Sequence, residues 1–169
     1  VAAIDLSVDA LDGLGAHVWY RQELERARRT PFTPIQAEFD RLPLPSHGVD
    51  VVLFNAALHY SADCGVALRE ALRVLSPEGT VVIMDSPIYR QANSGKQMVR
   101  EREMEFERTY GFRSNSIPAE HFLTTDRLAT LAHDLALKWQ TYAPVRSVSR
   151  LKGHWRRWHG LRELATLPM

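Results

Sequence analysis

The 169-residue sequence holds one cysteine, Cys64, which excludes an internal disulfide and fits a reducing, cytoplasmic setting. Long hydrophobic runs are also missing. The longest, Val49 to Leu58, is interrupted and falls far short of the ~20 residues of a membrane-spanning helix. No basic-then-apolar leader opens the chain, so secretion is not expected. The first residue is Val1, already inside an apolar, strand-like run, which reads as a chain trimmed or incomplete at its start. There is no Gly-x-Gly-x-Gly, no internal repeat and no low-complexity tract. Net charge is only +1, so neither sign dominates.

What remains is ordinary globular material, 45% apolar and 24% charged, expected to form a single domain with a hydrophobic core. Charge is uneven in one place. Between Pro144 and Met169, Arg146, Arg150, Lys152, Arg156, Arg157 and Arg162 face one acid, Glu163, with Trp155 and Trp158 interleaved. This is read as a solvated basic segment in preference to a nucleic-acid or anionic-lipid patch.

Residues Val1–Leu6 read as a short buried strand ending on Asp5. Ser7 is the expected N-cap of a helix reaching toward Arg29. Gly13 and Gly15 make its first half irregular, each costing about 1 kcal/mol relative to alanine. Thr33–Ala37, bracketed by Pro31 and Pro34, reads as an edge strand, and residues 42–48 as a loop. Val49–Phe54 is apolar on both faces, as in a central parallel strand covered by helices on each side. A helix over Cys64–Leu75 follows, with Val66, Leu68, Ala71, Leu72 and Leu75 toward the sheet. Ser76–Gly79 should stop it, and Thr80–Met84 is another strand. Beyond Tyr89 a charged helix is expected over Gln97–Tyr110, with Val99, Phe106 and Tyr110 on one face. A helix capped by Thr124 or Thr125 runs to about Leu135; strands are expected over Leu137–Tyr142 and Leu161–Leu167. Strand and helix alternating through short links predict a doubly wound α/β sheet.

In such sheets ligands bind beyond the carboxyl ends of the strands. Asp5 closes the first strand, where a carboxylate accepts hydrogen bonds from both hydroxyls of a ribose, though an acid there serves equally as a helix cap. Glu38 and Phe39 follow the second, a carboxylate and a flat ring suited to an adenine. Asn55 ends the third, with His59 and Tyr60 just beyond. His59 has two readings, a general base in the right titration range or a packing residue bonded to backbone. Tyr60, Tyr89, Arg90 and Tyr110 are candidates for an acceptor pocket, or core aromatics at helical spacing. His154 and His159 have no nearby carboxylate or cysteine in sequence, so no metal site is expected.

Ala-Ile-Asp-Leu-Ser (3–7), Ala-Glu-Phe-Asp-Arg-Leu-Pro-Leu (37–44), Val-Asp-Val-Val-Leu-Phe-Asn-Ala-Ala-Leu-His-Tyr (49–60) and Glu-Ala-Leu-Arg-Val-Leu-Ser-Pro-Glu-Gly-Thr-Val-Val-Ile (70–83) occur in order. The succession resembles class I S-adenosylmethionine-dependent methyltransferases, in their type-11 branch with the ubiquinone and menaquinone enzymes. The resemblance implies a mostly parallel, Rossmann-like methyltransferase sheet, with a cofactor-side half over 1–86 and an acceptor-side half over 87–169. It implies S-adenosylmethionine as cofactor, a small-molecule acceptor and a cytoplasmic enzyme. Asp5 and Leu6 would meet the ribose, Glu38 the adenine amine, the Phe39 backbone N–H the ring, and Asn55 and Ala56 the sulfonium end. Glu38 stands where the family has aspartate, one methylene shorter. Arg73–Gly79 matches the family's helix-to-strand turn.

The family opens with a strand and a glycine-rich turn around the methionine part of the cofactor, and these are absent here. The sheet is therefore expected to be incomplete, with its strands either closing the gap or leaving an unpaired edge, and the isolated chain is expected to bind the cofactor poorly. A nicotinamide dehydrogenase also places an acid after its second strand. The short-chain type needs Tyr-x-x-x-Lys, but Leu24, Cys64, Asn93, Ser114 and Arg146 stand four residues after the five tyrosines. A third reading is a non-catalytic remnant binding a partner or nucleic acid through its basic end.

Overall fold

A computed structural model describes residues 1–11, 13–114 and 117–142. The basic segment, His154, His159 and the strand expected over Leu161–Leu167 lie outside the described residues. The chain divides into two compact units, one of Val1–Val52 with Val66–Val81, the other of Leu53–Gly65 with the chain from Val82 on.

In the first unit, β1 (Ala2–Asp5) and β2 (Thr33–Gln36) pair in parallel, with Asp5 opposite Gln36. The segment between them is not the helix expected from Ser7. Asp5 Oδ1 accepts the Ser7 N–H (2.8 Å), Ser7 Oγ accepts from Asp9, and the Ser7 carbonyl accepts from Leu14. Ser7 therefore closes a turn, because its hydroxyl and carbonyl meet backbone donors before a helix starts. A 3-10 turn at Leu14–Ala16 leads into α1 (His17–Arg26), so the glycine-containing half is irregular as expected.

β3 (Val49–Asn55) pairs with β4 (Leu75–Met84). The expectation that β3 is buried on both faces fails. Phe54 is buried, whereas Val51 and Leu53 on the alternate face are 59% and 54% exposed. Side chains alternate across a strand, so one uncovered face leaves one alternate set in solvent. β4 also starts earlier than the sequence suggests. The carbonyls of Arg73 and Val74 accept from His47 and Gly48, and His47 Nδ1 donates to the Leu75 carbonyl. These bonds hold Ser76–Gly79 extended where a turn was expected. Gly79 belongs there for lack of space: a Cβ would fall 2.5 Å from Leu75 Cγ and 2.9 Å from the Asp50 carbonyl.

α2 (Cys64–Val74) begins in the second unit and buries Ala67, Leu68, Ala71 and Val74 in the first, with Leu75 following. Val66 and Leu72, expected on this face, are only half-buried. Arg73 ties the helix end to the loop before β3, donating to the carbonyls of Leu42 and Leu44 and pairing with Glu70 (2.7 Å). Glu70 accepts the Leu42 N–H, and these contacts, the Arg73 hydrogen bond foremost, hold its carboxyl below the usual range.

In the second unit, β5 (Ile88–Tyr89) and β6 (Leu123–Thr124) pair in parallel, with Tyr89 opposite Thr124. Its core holds Phe54, Leu58, Cys64, Leu123, Leu128 and Leu131. α4 (Thr125–Asp134) is capped by Thr124, whose Oγ1 accepts the Arg127 N–H. α3 (Ala92–Tyr110) starts before the expected Gln97 and ends at Gly111, in the left-handed conformation. Leu137–Tyr142 is not a strand. Leu137 N–H donates to the Ala132 carbonyl and the Trp139 indole to that of Leu128 (2.9 Å), folding the segment back along α4.

Gly95 lets α3 approach the ring of Phe122, which a Cβ would penetrate. Gly95→Ala is therefore expected to destabilise the protein by about 1–3 kcal/mol despite the better helix propensity of alanine. Denaturant unfolding measures it, and a neutral or stabilising result would show that the approach is not tight. Among the described residues no helix is long and apolar enough to cross a membrane.

Candidate active site

The sequence-predicted residues fall into two groups, one in each unit. In the first, the parallel register brings the ends of β1 and β2 together, and the Ala37 N–H donates to the Asp5 carbonyl (3.2 Å). Asp5 is half-buried. Its Oδ1 holds the Ser7 N–H, and a carboxylate has about four acceptor positions, so most of its capacity remains. Gln36 Nε2 donates to the Leu6 carbonyl, fixing the chain just past Asp5. Glu38 is exposed and lines a shallow cleft of about 490 Å³ with Gln36, Ala37, Arg41 and Pro43, while Phe39 is half-buried. Two carboxylates thus lie beyond adjacent strand ends.

In the second unit, Asn55 ends β3 and Ala56 follows in the left-handed region (φ 50°), its N–H donating to the Met84 carbonyl. Asp85, just past β4, is left-handed too (φ 53°). Non-glycine residues held there cost on the order of 1–3 kcal/mol and cluster at functional sites. Nothing in the sequence marks the strain, although Asp85 repeats the pattern of Asp5, an acid closing an apolar strand.

His59 is buried in the 3-10 turn Leu58–Tyr60. Its Nδ1 is hydrogen-bonded to Ser86 Oγ (3.3 Å), and its ring lies 4.2 Å from that of the exposed Tyr60. The His59 carbonyl accepts the His121 N–H (2.7 Å), and His121 Nδ1 accepts from Arg102 (3.2 Å). Burial, then the Arg102 charge, then His121, push the His59 pKa down to about 4. The imidazole is neutral near pH 7, where it bonds as donor and acceptor but is a weak base. Tyr89 packs edge-on to Phe122, and burial raises its pKa. Arg90 is exposed, and Tyr110 joins Phe106 and Phe112 in a separate aromatic group. Ser86, Arg102 and His121 were not foreseen; they lie 27 to 62 residues from His59 and meet it only through tertiary structure.

A proton bound by the unfolded chain and refused by the native one makes stability rise with pH. For His59 that window runs from about 4 to 6.5, so stability is lost as pH falls from 6.5 toward 4. The expected loss is on the order of 1–3 kcal/mol, flattened in His59→Gln. Equal slopes in the two proteins would show that His59 is not the group responsible. Cys64 takes no part in such chemistry: burial pushes its thiol up to about 12, and its Sγ contacts the Leu58 carbonyl. Among the described residues no group of three or more His, Cys, Asp or Glu is placed to hold a metal.

Residues 1–83 match the family described as a methyltransferase domain. The chain is 33% identical over 85 residues to the uncharacterized protein YafE of Escherichia coli K12, covering 50% of this chain and 38% of YafE. Its fold is similar to that of YcgJ from Bacillus subtilis (TM-score 0.61, 14% identity, 81% of this chain and 52% of YcgJ). It is also similar to a SAM-dependent methyltransferase from Aquifex aeolicus (TM-score 0.51, 16% identity, 83% of this chain and 60% of that one). The chain thus spans less than two thirds of the length of each of these three proteins. The fold is Rossmann-like, mixed α/β, and among the described residues its sheet is incomplete, present as three two-stranded pairs.

Proposed function

We propose that this chain, whose residues 1–83 match a methyltransferase domain, acts in methyl transfer from S-adenosylmethionine to a small-molecule acceptor. The observation that carries the reading is the placement of Asp5 and Glu38 beyond the paired ends of β1 and β2, within the segment that matches the family. The cofactor side is drawn chiefly from residues 1–86 and the acceptor side chiefly from those from 87 on, with His59 and Tyr60 reaching the acceptor from the first part.

S-Adenosylmethionine, when bound, supplies an electrophilic methyl group on a sulfonium. Asp5 accepts hydrogen bonds from the ribose hydroxyls with the acceptor positions that Ser7 leaves open. Glu38 accepts from the adenine amine, the Phe39 N–H meets the ring, and Leu6 borders the ribose. Asn55 and Ala56 border the sulfonium end. Displacement at a methyl group is in-line, so the protein contributes chiefly position and exclusion of water. His59, neutral and bonded to Ser86, orients an acceptor by hydrogen bonding, and Tyr60, Tyr89, Arg90 and Tyr110 belong to the acceptor side.

Ultraviolet cross-linking with radiolabelled S-adenosylmethionine tests this reading. Label should enter the chain and be displaced by S-adenosylhomocysteine but not by NAD. Displacement by NAD alone would favour a nicotinamide enzyme, and no specific labelling would overturn cofactor binding.

A further inference from the structure

The peptide unit joining Leu6 to Ser7, the first beyond β1, is held at both of its polar atoms. Its N–H donates to Asp5 Oδ1 (2.8 Å), and its carbonyl accepts from Gln36 Nε2 (3.1 Å). A carbonyl only accepts, so the Gln36 carboxamide must present its nitrogen there. Asp5 and Gln36 are partners in the parallel register of β1 and β2, so their side chains leave the same face of the pair side by side. A peptide unit is planar and rigid. Fixing its carbonyl therefore fixes the direction of its N–H, and with it the carboxylate oxygen that the N–H meets. The two hydrogen bonds also run in one direction through the same amide, an arrangement in which each polarises and strengthens the other.

This clamp is more than the local fold requires. The turn after β1 is already closed by the Ser7 hydroxyl, which accepts from the Asp9 N–H, and by the Ser7 carbonyl, which accepts from Leu14. The strand ends are already joined where the Ala37 N–H donates to the Asp5 carbonyl. Gln36 is exposed, so water would satisfy its amide and the Leu6 carbonyl if the two were apart. Ordering a glutamine side chain also costs rotamer entropy that one exposed hydrogen bond barely offsets. What the bond does fix is the direction of the Asp5 carboxylate. Gln36 lines the cleft of about 490 Å³ together with Glu38 and Arg41, so the side chain that acts on Asp5 is also part of the wall beside the second carboxylate.

We propose that Gln36 is a positioning residue, which through the Leu6–Ser7 peptide holds the Asp5 carboxylate in the orientation that receives the ribose hydroxyls. The proposal rests on the reading of Asp5 as the ribose-binding acid and adds the residue that aims it. With Oδ1 engaged by the Ser7 N–H in a fixed direction, Oδ2 is left to accept from the ligand.

The test compares the 169-residue chain with Gln36→Met, which keeps the length of the side chain without the donor, and with Gln36→Glu, which keeps its shape but offers only acceptors at pH 7. S-Adenosylhomocysteine is titrated by calorimetry, and the Ser7 backbone amide is followed by proton–nitrogen NMR without ligand. The Ser7 amide proton should move upfield in both variants as its bond to Asp5 loosens, with little change in melting temperature. The Kd for S-adenosylhomocysteine should rise about three- to tenfold in Gln36→Met and at least as much in Gln36→Glu. In an Asp5→Ala background, Gln36→Met should change the Kd less than about twofold, because the carboxylate it positions is gone. An unmoved Ser7 amide, an unchanged affinity in either variant, or an equal loss in the Asp5→Ala background would each overturn the positioning role. No binding of S-adenosylhomocysteine by the parent would instead sink the methyltransferase reading, and the Ser7 amide would still decide whether Gln36 orients Asp5.

Discussion

Leu68→Ala should lower the stability of the protein by about 3 kcal/mol, within the ~2–5 kcal/mol typical of a fully buried leucine. Leu68 is completely buried in the middle of α2, with Ala67, Ala71, Val74 and Leu75 in the same core. Truncation removes three carbon atoms from water-free contact and leaves a cavity that the surrounding alanines are too short to fill. The ends of α2 are anchored, by the Arg73 contacts at one and by the Glu120 carboxylate on the Cys64 N–H at the other, so the helix cannot slide to close the gap. Urea unfolding monitored by tryptophan fluorescence checks it. A loss below about 1 kcal/mol would mean that this core collapses around the missing side chain.

Arg127→Ala has the next largest expected effect, about 2–3 kcal/mol, toward the low end for a broken buried pair because both side chains keep some solvent. Arg127 lies against Glu120 (2.7 Å) and Asp63 (3.0 Å). Burial by itself would raise the Glu120 pKa; the hydrogen bonds from Arg127 and from the Cys64 N–H outweigh it and hold the carboxyl low. Removal of Arg127 strands a half-buried carboxylate that also caps α2. The sign with pH follows. A carboxyl with a depressed native pKa stabilises the fold above its ordinary value of about 4.5 and loses that contribution as pH falls. The difference between parent and Arg127→Ala should therefore shrink from pH 7 toward pH 3. A difference independent of pH would assign the effect to packing of the arginine stem.

The strand ends were legible because they rest on local pattern. Asp5 and Asn55 close apolar runs, and both strands end there. Thr124 caps α4 because a hydroxyl three residues before a free N–H needs no tertiary help. Ser7 misled because Asp5, two residues earlier, reaches its N–H first, and a short polar side chain fits a turn as well as a cap. The start of α3 was missed because Ala92–Gly95 has a loop composition and no side-chain cap; Gly95 is there for the Phe122 ring. The Arg102–His121–His59 group lies beyond any local pattern, since its members come from three segments. Strand ends were thus readable from the sequence, and the convergence of side chains from distant segments was not.

The central claim is that Asp5 holds the ribose of S-adenosylmethionine. Titration of the cofactor into the 169-residue chain and into Asp5→Ala, by calorimetry with melting curves of both, tests it most directly. Saturable binding is predicted for the parent, and binding about tenfold or more weaker for Asp5→Ala with little change in melting temperature. Equal affinities in the two proteins, or no binding to the parent, would contradict the account.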